Sequence, residues 1–168
     1  PAKLASILEM EKEIEVVARN FADVKGFFFI GRGLAYPLAL EGALKLKEIS
    51  YLHAEAYPAG EMKHGPIALL DKELPVVALV PKSNLWEKTI SSIEESMARN
   101  SPIIAFATEG DTEIGHYSKN VIFIPETEPE LFPFTAVIPL QLFAYYIARQ
   151  RGCDIDMPRN LAKSVTVE

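Results

Sequence analysis

The stretch Phe27-Phe28-Phe29-Ile30-Gly31-Arg32-Gly33 decides the fold. A short run of large apolar residues with no polar alternation reads as a strand buried on both faces. Two glycines bracketing an arginine end it, as a tight turn after a strand would. Beyond the turn, Pro37 to Ser50 has helical periodicity, with Pro37 in the first turn, where its missing N–H costs no intrahelical bond. A wholly apolar strand leading through a glycine turn into a helix opens a parallel α/β unit.

The pattern extends in both directions. Upstream, Leu4, Ile7, Leu8, Met10, Ile14, Val17 and Ala18 recur near the helical period, predicting one amphipathic helix over Leu4–Phe21. Downstream, Ala54–Tyr57 reads as a short strand and Glu61–Leu70 as a short helix. Val76–Val80 is expected to be a strand and Leu85–Arg99 a helix, with Ser83 or Asn84 as its N-cap. Ile103–Ala107 and Val121–Ile124 are further strands, and Leu131–Arg151 is a long apolar helix. About five apolar strands alternating with helices imply an α/β three-layer αβα sandwich on an open parallel sheet of the flavodoxin type. Residues 1–152 read as one domain. From Gly152 the periodicity breaks, and 153–168 read as a tail.

Composition limits the function. The chain has 168 residues, 49% of them apolar, enough for one sizeable core. A formal charge of −6 argues against nucleic acid and anionic membranes, which need a basic face. The one cysteine, Cys153, allows no intrachain disulfide. The apolar stretches read as far short of a membrane span, and the first residues show no signal peptide. A cytosolic protein is expected, and the opening at Pro1 without a Met suggests a piece of a longer one.

In doubly wound sheets ligands sit at the carboxyl ends of the strands, here the Gly31 turn, residues 54–66 and the Pro81–Asn84 turn. Glu41, Lys45 and Glu48 are spaced i, i+4 and i+7 and share one helix face. Such a face is either a solvated ion-pair strip or a carboxylate base beside a lysine. His64, followed by Gly65-Pro66, sits at a turn, which suits either a capping role or a proton shuttle. His53, Glu55, Glu61 and His64 could be grouped as metal ligands. The faint H-x-E at His53-Ala54-Glu55 lacks the P-C-x-x-C that zinc deaminases need, so neither metal nor cofactor is expected. Gly31-Arg32-Gly33 is only a weak phosphate-loop signal, and Cys153 has no supporting motif. The sparsely charged tail Asn160–Glu168 reads either as a clamp on a partner or as a carrier that brings the Lys163 amine to a carbonyl.

Leu40-Glu41-Gly42-Ala43-Leu44-Lys45-Leu46-Lys47-Glu48, Ala54-Glu55-Ala56 and Gly60-Glu61-Met62-Lys63-His64-Gly65-Pro66 closely resemble the second sugar-isomerase (SIS) domain of the glucosamine-6-phosphate synthases. The closing stretch from Asp154 to Glu168 is similar to the end of those enzymes. The resemblance implies amination of fructose 6-phosphate with glutamine-derived ammonia and isomerisation to glucosamine 6-phosphate. It makes Glu48 the base that moves a proton between C1 and C2, with Lys45 beside it. It makes His64 the ring-opening group, presented to the partner subunit's site in a homodimer. Lys163 becomes the tail lysine that engages the sugar carbonyl, and Ala162 and Glu41 contact the substrate. The tail is thereby expected to close on the sugar site. The chain departs from the family's phosphate site, a Ser/Thr-rich turn of the first SIS domain, because Pro81-Lys82-Ser83-Asn84 has one hydroxyl and no glycine. It also lacks the N-terminal cysteine of a glutaminase, so alone it is expected to be inactive. A non-catalytic sugar-phosphate-binding module and another phosphosugar isomerase or deaminase remain the alternatives.

Overall fold

A computed structural model describes residues 2–160. Its elements run α1 (Ala2–Glu9), α2 (Glu11–Arg19), β1 (Gly26–Gly31), α3 (Ala35–Ser50), β2 (His53–Pro58), β3 (Val76–Val80), α4 (Trp86–Met97), β4 (Ile103–Thr108), β5 (Asn120–Ile124) and α5 (Phe132–Gln150). All strand pairs are parallel, in the order β2-β1-β3-β4-β5. This is the flavodoxin-like order, with its switch point between β1 and β3.

The opening stretch explains the three layers. All six residues of β1 are buried. Phe27 and Phe29 join Val77, Leu79, Ile104 and Phe106 in a core covered by α2, α3 and α5. Phe28 and Ile30 turn the other way and join Val76, Ala78 and Val80 in a second core under α4. Strand side chains alternate between faces, so a strand with no polar position has an apolar layer on both sides. Phe143 of α5 closes the first core edge-on, 5.8 Å from Phe27 and 6.0 Å from Phe106 between ring centroids.

Four expectations need correction. The single helix over Leu4–Phe21 is two helices, interrupted at Met10 (φ −80°, ψ 3°). The Met10 N–H still bonds Ile7 O, and Met10 O accepts from Ile14 N–H. The apolar period therefore passes through the break with Ile7 and Ile14 fully buried, and the pattern reads as continuous.

The helix expected over Glu61–Leu70 is two 3₁₀ segments, Ala59–His64 and Pro66–Leu69. Gly65 at φ 154° separates them, and Pro66 has no N–H to carry a ladder across. In α4 the cap position falls on Leu85, with no side-chain cap bond, and Ser83 Oγ accepts from the Leu85 N–H instead.

Finally, the Pro129–Gln150 segment is 22 residues long and its most apolar 18-residue stretch has a mean hydropathy of 1.6, long and apolar enough by composition to cross a membrane. Over half of its most apolar window is buried, where α5 packs against α2 and α3. A core helix covered on several sides reads like a span because it too lacks a polar stripe.

Candidate active site

α3 leaves β1 at the carboxyl edge of the sheet and returns to start β2, so its last turn lies at the amino edge. The buried side of α3, including Leu38, Ala39, Ala43 and Leu46, packs into the first core. That orientation leaves Glu41, Lys45 and Glu48 partly exposed on the other side. Lys45 Nζ lies 3.5 Å from Glu41 Oε1 and 3.4 Å from Glu48 Oε2. Burial works against the Lys45 charge, but the two carboxylates outweigh it and raise its pKa above the ordinary lysine value. The ammonium is therefore a fixed positive charge beside the Glu48 carboxylate.

The C-terminal segment returns to the same end of α3. Arg151 leaves α5 and donates to Ser50 O and Ala22 O. Ser50 is fully buried, and its hydroxyl donates to Leu46 O. Tyr51 caps α3 in the left-handed conformation at φ 60°. The Arg159 guanidinium sits 4.0 Å over the Tyr51 ring, while the Arg159 N–H donates to the Tyr51 hydroxyl. Such a stack contributes on the order of 0.5–1 kcal/mol at an exposed site. The Tyr51–Arg159 pairing escaped the sequence reading. A non-glycine residue at a helix C-cap is a weak signal, and its partner lies 108 positions away. Ala162 and Lys163 lie outside the described residues.

His64 is exposed at the end of the first 3₁₀ segment. That segment follows β2, whereas Glu48 precedes it. β2 has six residues, about 20 Å at the usual strand rise. Glu48 and His64 therefore stand at opposite edges of the sheet within one chain.

Between them, β2 presents His53, Glu55 and Tyr57 on one face. His53 Nε2 is 3.6 Å from Glu55 Oε1, and the Tyr57 hydroxyl donates to Glu55. That hydrogen bond and burial push the Tyr57 pKa up to about 12. Among the described residues, no group of three or more His, Cys, Asp or Glu side chains is arranged to hold a metal ion.

The switch point does carry a crevice, of about 280 Å³, lined by Arg32, Gly33, Lys82, Ser83, Thr108 and Glu126 among others. Several of its polar groups are engaged with neighbouring groups. Lys82 Nζ pairs with Glu126 Oε1 at 2.9 Å, Thr108 Oγ1 accepts from the Lys82 N–H, and Ser83 Oγ accepts from Leu85. Of the candidate residues named from the sequence, His64 lies at the carboxyl edge. The Glu41–Lys45–Glu48 face lies on the helix running away from that edge.

The chain is 56% identical over its whole length to glutamine–fructose-6-phosphate aminotransferase (isomerizing) of Thermus thermophilus, and 55% to that of Methanosarcina mazei. It spans only 28% and 27% of those relatives. The C-terminal domain of glucosamine-fructose-6-phosphate aminotransferase from Francisella tularensis superposes with a TM-score of 0.86 at 42% identity, covering 93% of this chain and 44% of that one. Tagatose-6-phosphate ketose/aldose isomerase from Escherichia coli shares the fold at 22% identity and a TM-score of 0.77, over 90% of this chain and 42% of that one. Residues 20–149 match the SIS domain. With its five parallel strands and helices on both faces, the chain belongs to the SIS domain family.

Proposed function

We propose that this chain is the second isomerase domain of a glutamine–fructose-6-phosphate aminotransferase, and that it carries the ketose-to-aldose step giving glucosamine 6-phosphate. The observation that carries the reading is the last turn of α3, where Glu48 stands against a permanently charged Lys45. Isomerisation removes a proton from C1 or C2 α to a carbonyl or imine and returns it to the neighbouring carbon. One carboxylate moves that proton across a single face through an enediol-like intermediate. Glu48 fills this role, with Lys45 holding negative charge at the site and Glu41 anchoring Lys45 from the preceding turn. An imine formed by the Lys163 amine, with loss of water, would acidify the α-proton. Ala162 and the rest of the tail would close over the sugar, with Arg159 fixing where the tail departs. His64 would take the ring-opening proton transfers, for which imidazole is suited near neutral pH.

The separation of Glu48 from His64 along β2 supports a homodimer in which each site takes Glu48 from one subunit and His64 from the other. Leu34 at the N-cap of α3 and Leu40 and Leu44 along it, each more than 40% exposed, suit burial against the first SIS domain. The glutaminase domain would supply the ammonia. The setting we propose is the cytoplasm, where soluble sugar phosphates are the substrates.

The test is complementation in the full-length protein. Glu48→Gln and His64→Ala homodimers should both be poor at amino-sugar synthesis. Mixed dimers hold one site with both residues intact, so co-assembly should restore about a quarter of wild-type activity for a two-fold symmetric enzyme. Mixing that restores nothing refutes the shared site.

A further inference from the structure

We propose that Arg32 is the positioning residue for His64, acting through the 3₁₀ segment Ala59–His64. The proposal rests on the reading of His64 as a catalytic group. Arg32 follows the last residue of β1, in the turn that defines the fold. Its guanidinium lies against Gly60, so close that a Cβ there would sit 3.0 Å from Nη1 and 3.2 Å from Nη2. Glycine at 60 thus lets a planar cation lie on the segment's backbone. The fork is fixed from the other side, where Nη2 donates to Ser92 Oγ at 3.1 Å. Ser92 belongs to α4 and is 2% exposed, with its own hydroxyl donating to Lys88 O. One side chain thereby joins the end of β1, the start of the 3₁₀ segment and α4.

The rest of the segment is seated by apolar contacts. Ala59 and Met62 are fully buried in the core under α4. Arg32 completes this seat at Gly60, four residues before His64. From a seat held at three points, His64 emerges exposed at the carboxyl edge. A stability role alone explains Arg32 poorly, because its Nε is buried with no hydrogen-bond partner among the described residues. A buried donor left unpaired is unfavourable, and an apolar side chain would avoid it. What arginine adds is a planar group that presses on Gly60 while bonded to Ser92. A lysine, with one point-like ammonium, cannot do both.

The test uses the full-length protein with Arg32→Met, which keeps the apolar stem and removes the fork. Gly60→Ala is an independent variant that pushes the guanidinium off the segment. Each should lower amino-sugar synthesis about tenfold, since misplacing a catalytic group by about 1 Å costs up to 10²-fold. Glutamine hydrolysis should be retained. In a His64→Ala background the Arg32→Met penalty should shrink to less than about twofold, because residues acting through one group are not additive. Hydrogen exchange at Ala59–His64 should quicken in Arg32→Met alone. Unchanged exchange, or a full Arg32→Met penalty persisting without His64, overturns the proposal. Quickened exchange together with undiminished synthesis in His64→Ala upholds Arg32 as the anchor of the segment and refutes the reading of His64 instead.

Discussion

Glu48→Gln in the full-length protein separates a catalytic face on α3 from a decorative one. Glutamine keeps the volume and one carbonyl acceptor but cannot take a proton. The stability side of the ledger is small. The carboxylate is 29% exposed and its partner lysine 37%, at 3.4 Å. Ion pairs that open to solvent contribute about 0.2–1 kcal/mol. Lys45 also keeps Glu41 at 3.5 Å, so no charge is stranded. At about 2–4 °C per kcal/mol for a domain of this size, Tm should fall by no more than about 4 °C. The catalytic side is far larger. A positioned general base is worth about 10²–10⁴ in rate, equivalent to about 2.7–5.5 kcal/mol of barrier. Amino-sugar phosphate formation, glutamine hydrolysis and thermal unfolding should be measured on one preparation. The expected result is synthesis down by two to four orders of magnitude, with hydrolysis retained and the melting curve nearly unmoved. Unchanged synthesis would make Glu48 a surface ion-pair partner and refute the site.

Gly31→Ala should destabilise the domain by about 1–3 kcal/mol or more, because the new Cβ would sit 2.5 Å from the backbone C and O of Ala35, which cannot rotate aside. Urea unfolding checks this, and an unchanged midpoint would show that the β1–α3 turn is looser than described. Two of the six tyrosines should titrate near pH 12 by ultraviolet absorbance: Tyr57, held by its bond to Glu55 and by burial, and Tyr146, by burial and its bond to Glu11. Because folding raises both pKa values, the folded state holds more protons than the unfolded one from about pH 10 to 12. Stability should then decline with rising pH across that window, and a flat profile would contradict the assignment. Calorimetry of this chain with glucose 6-phosphate should show no tight binding, since Lys82 is paired with Glu126 and the Ser83 and Thr108 hydroxyls already accept backbone bonds. A micromolar Kd would favour a sugar-phosphate-binding module over the catalytic reading.

The fold class was legible because its signals are local. Phe27–Ile30, Val76–Val80 and Ile103–Ala107 lack a polar position, and only a sheet covered on both faces buries such strands. Helix spacing likewise placed Glu41, Lys45 and Glu48 together, since i, i+4 and i+7 positions share a face wherever the helix packs. The broken first helix and the two 3₁₀ segments were not legible. Met10 interrupts hydrogen bonds without shifting the apolar stripe, and a 3₁₀ segment differs from a short helix by a geometry that period alone does not encode. What tertiary structure alone decided is where the candidate residues lie. The path of α3 across the sheet sends Glu48 to the amino edge, while β2 carries the chain on to His64 at the carboxyl edge. The Tyr51–Arg159 stack and the Arg32–Gly60–Ser92 junction join positions far apart in the chain. A contact over such a separation leaves no periodic trace in sequence, and only the packing of the layers brings its members together.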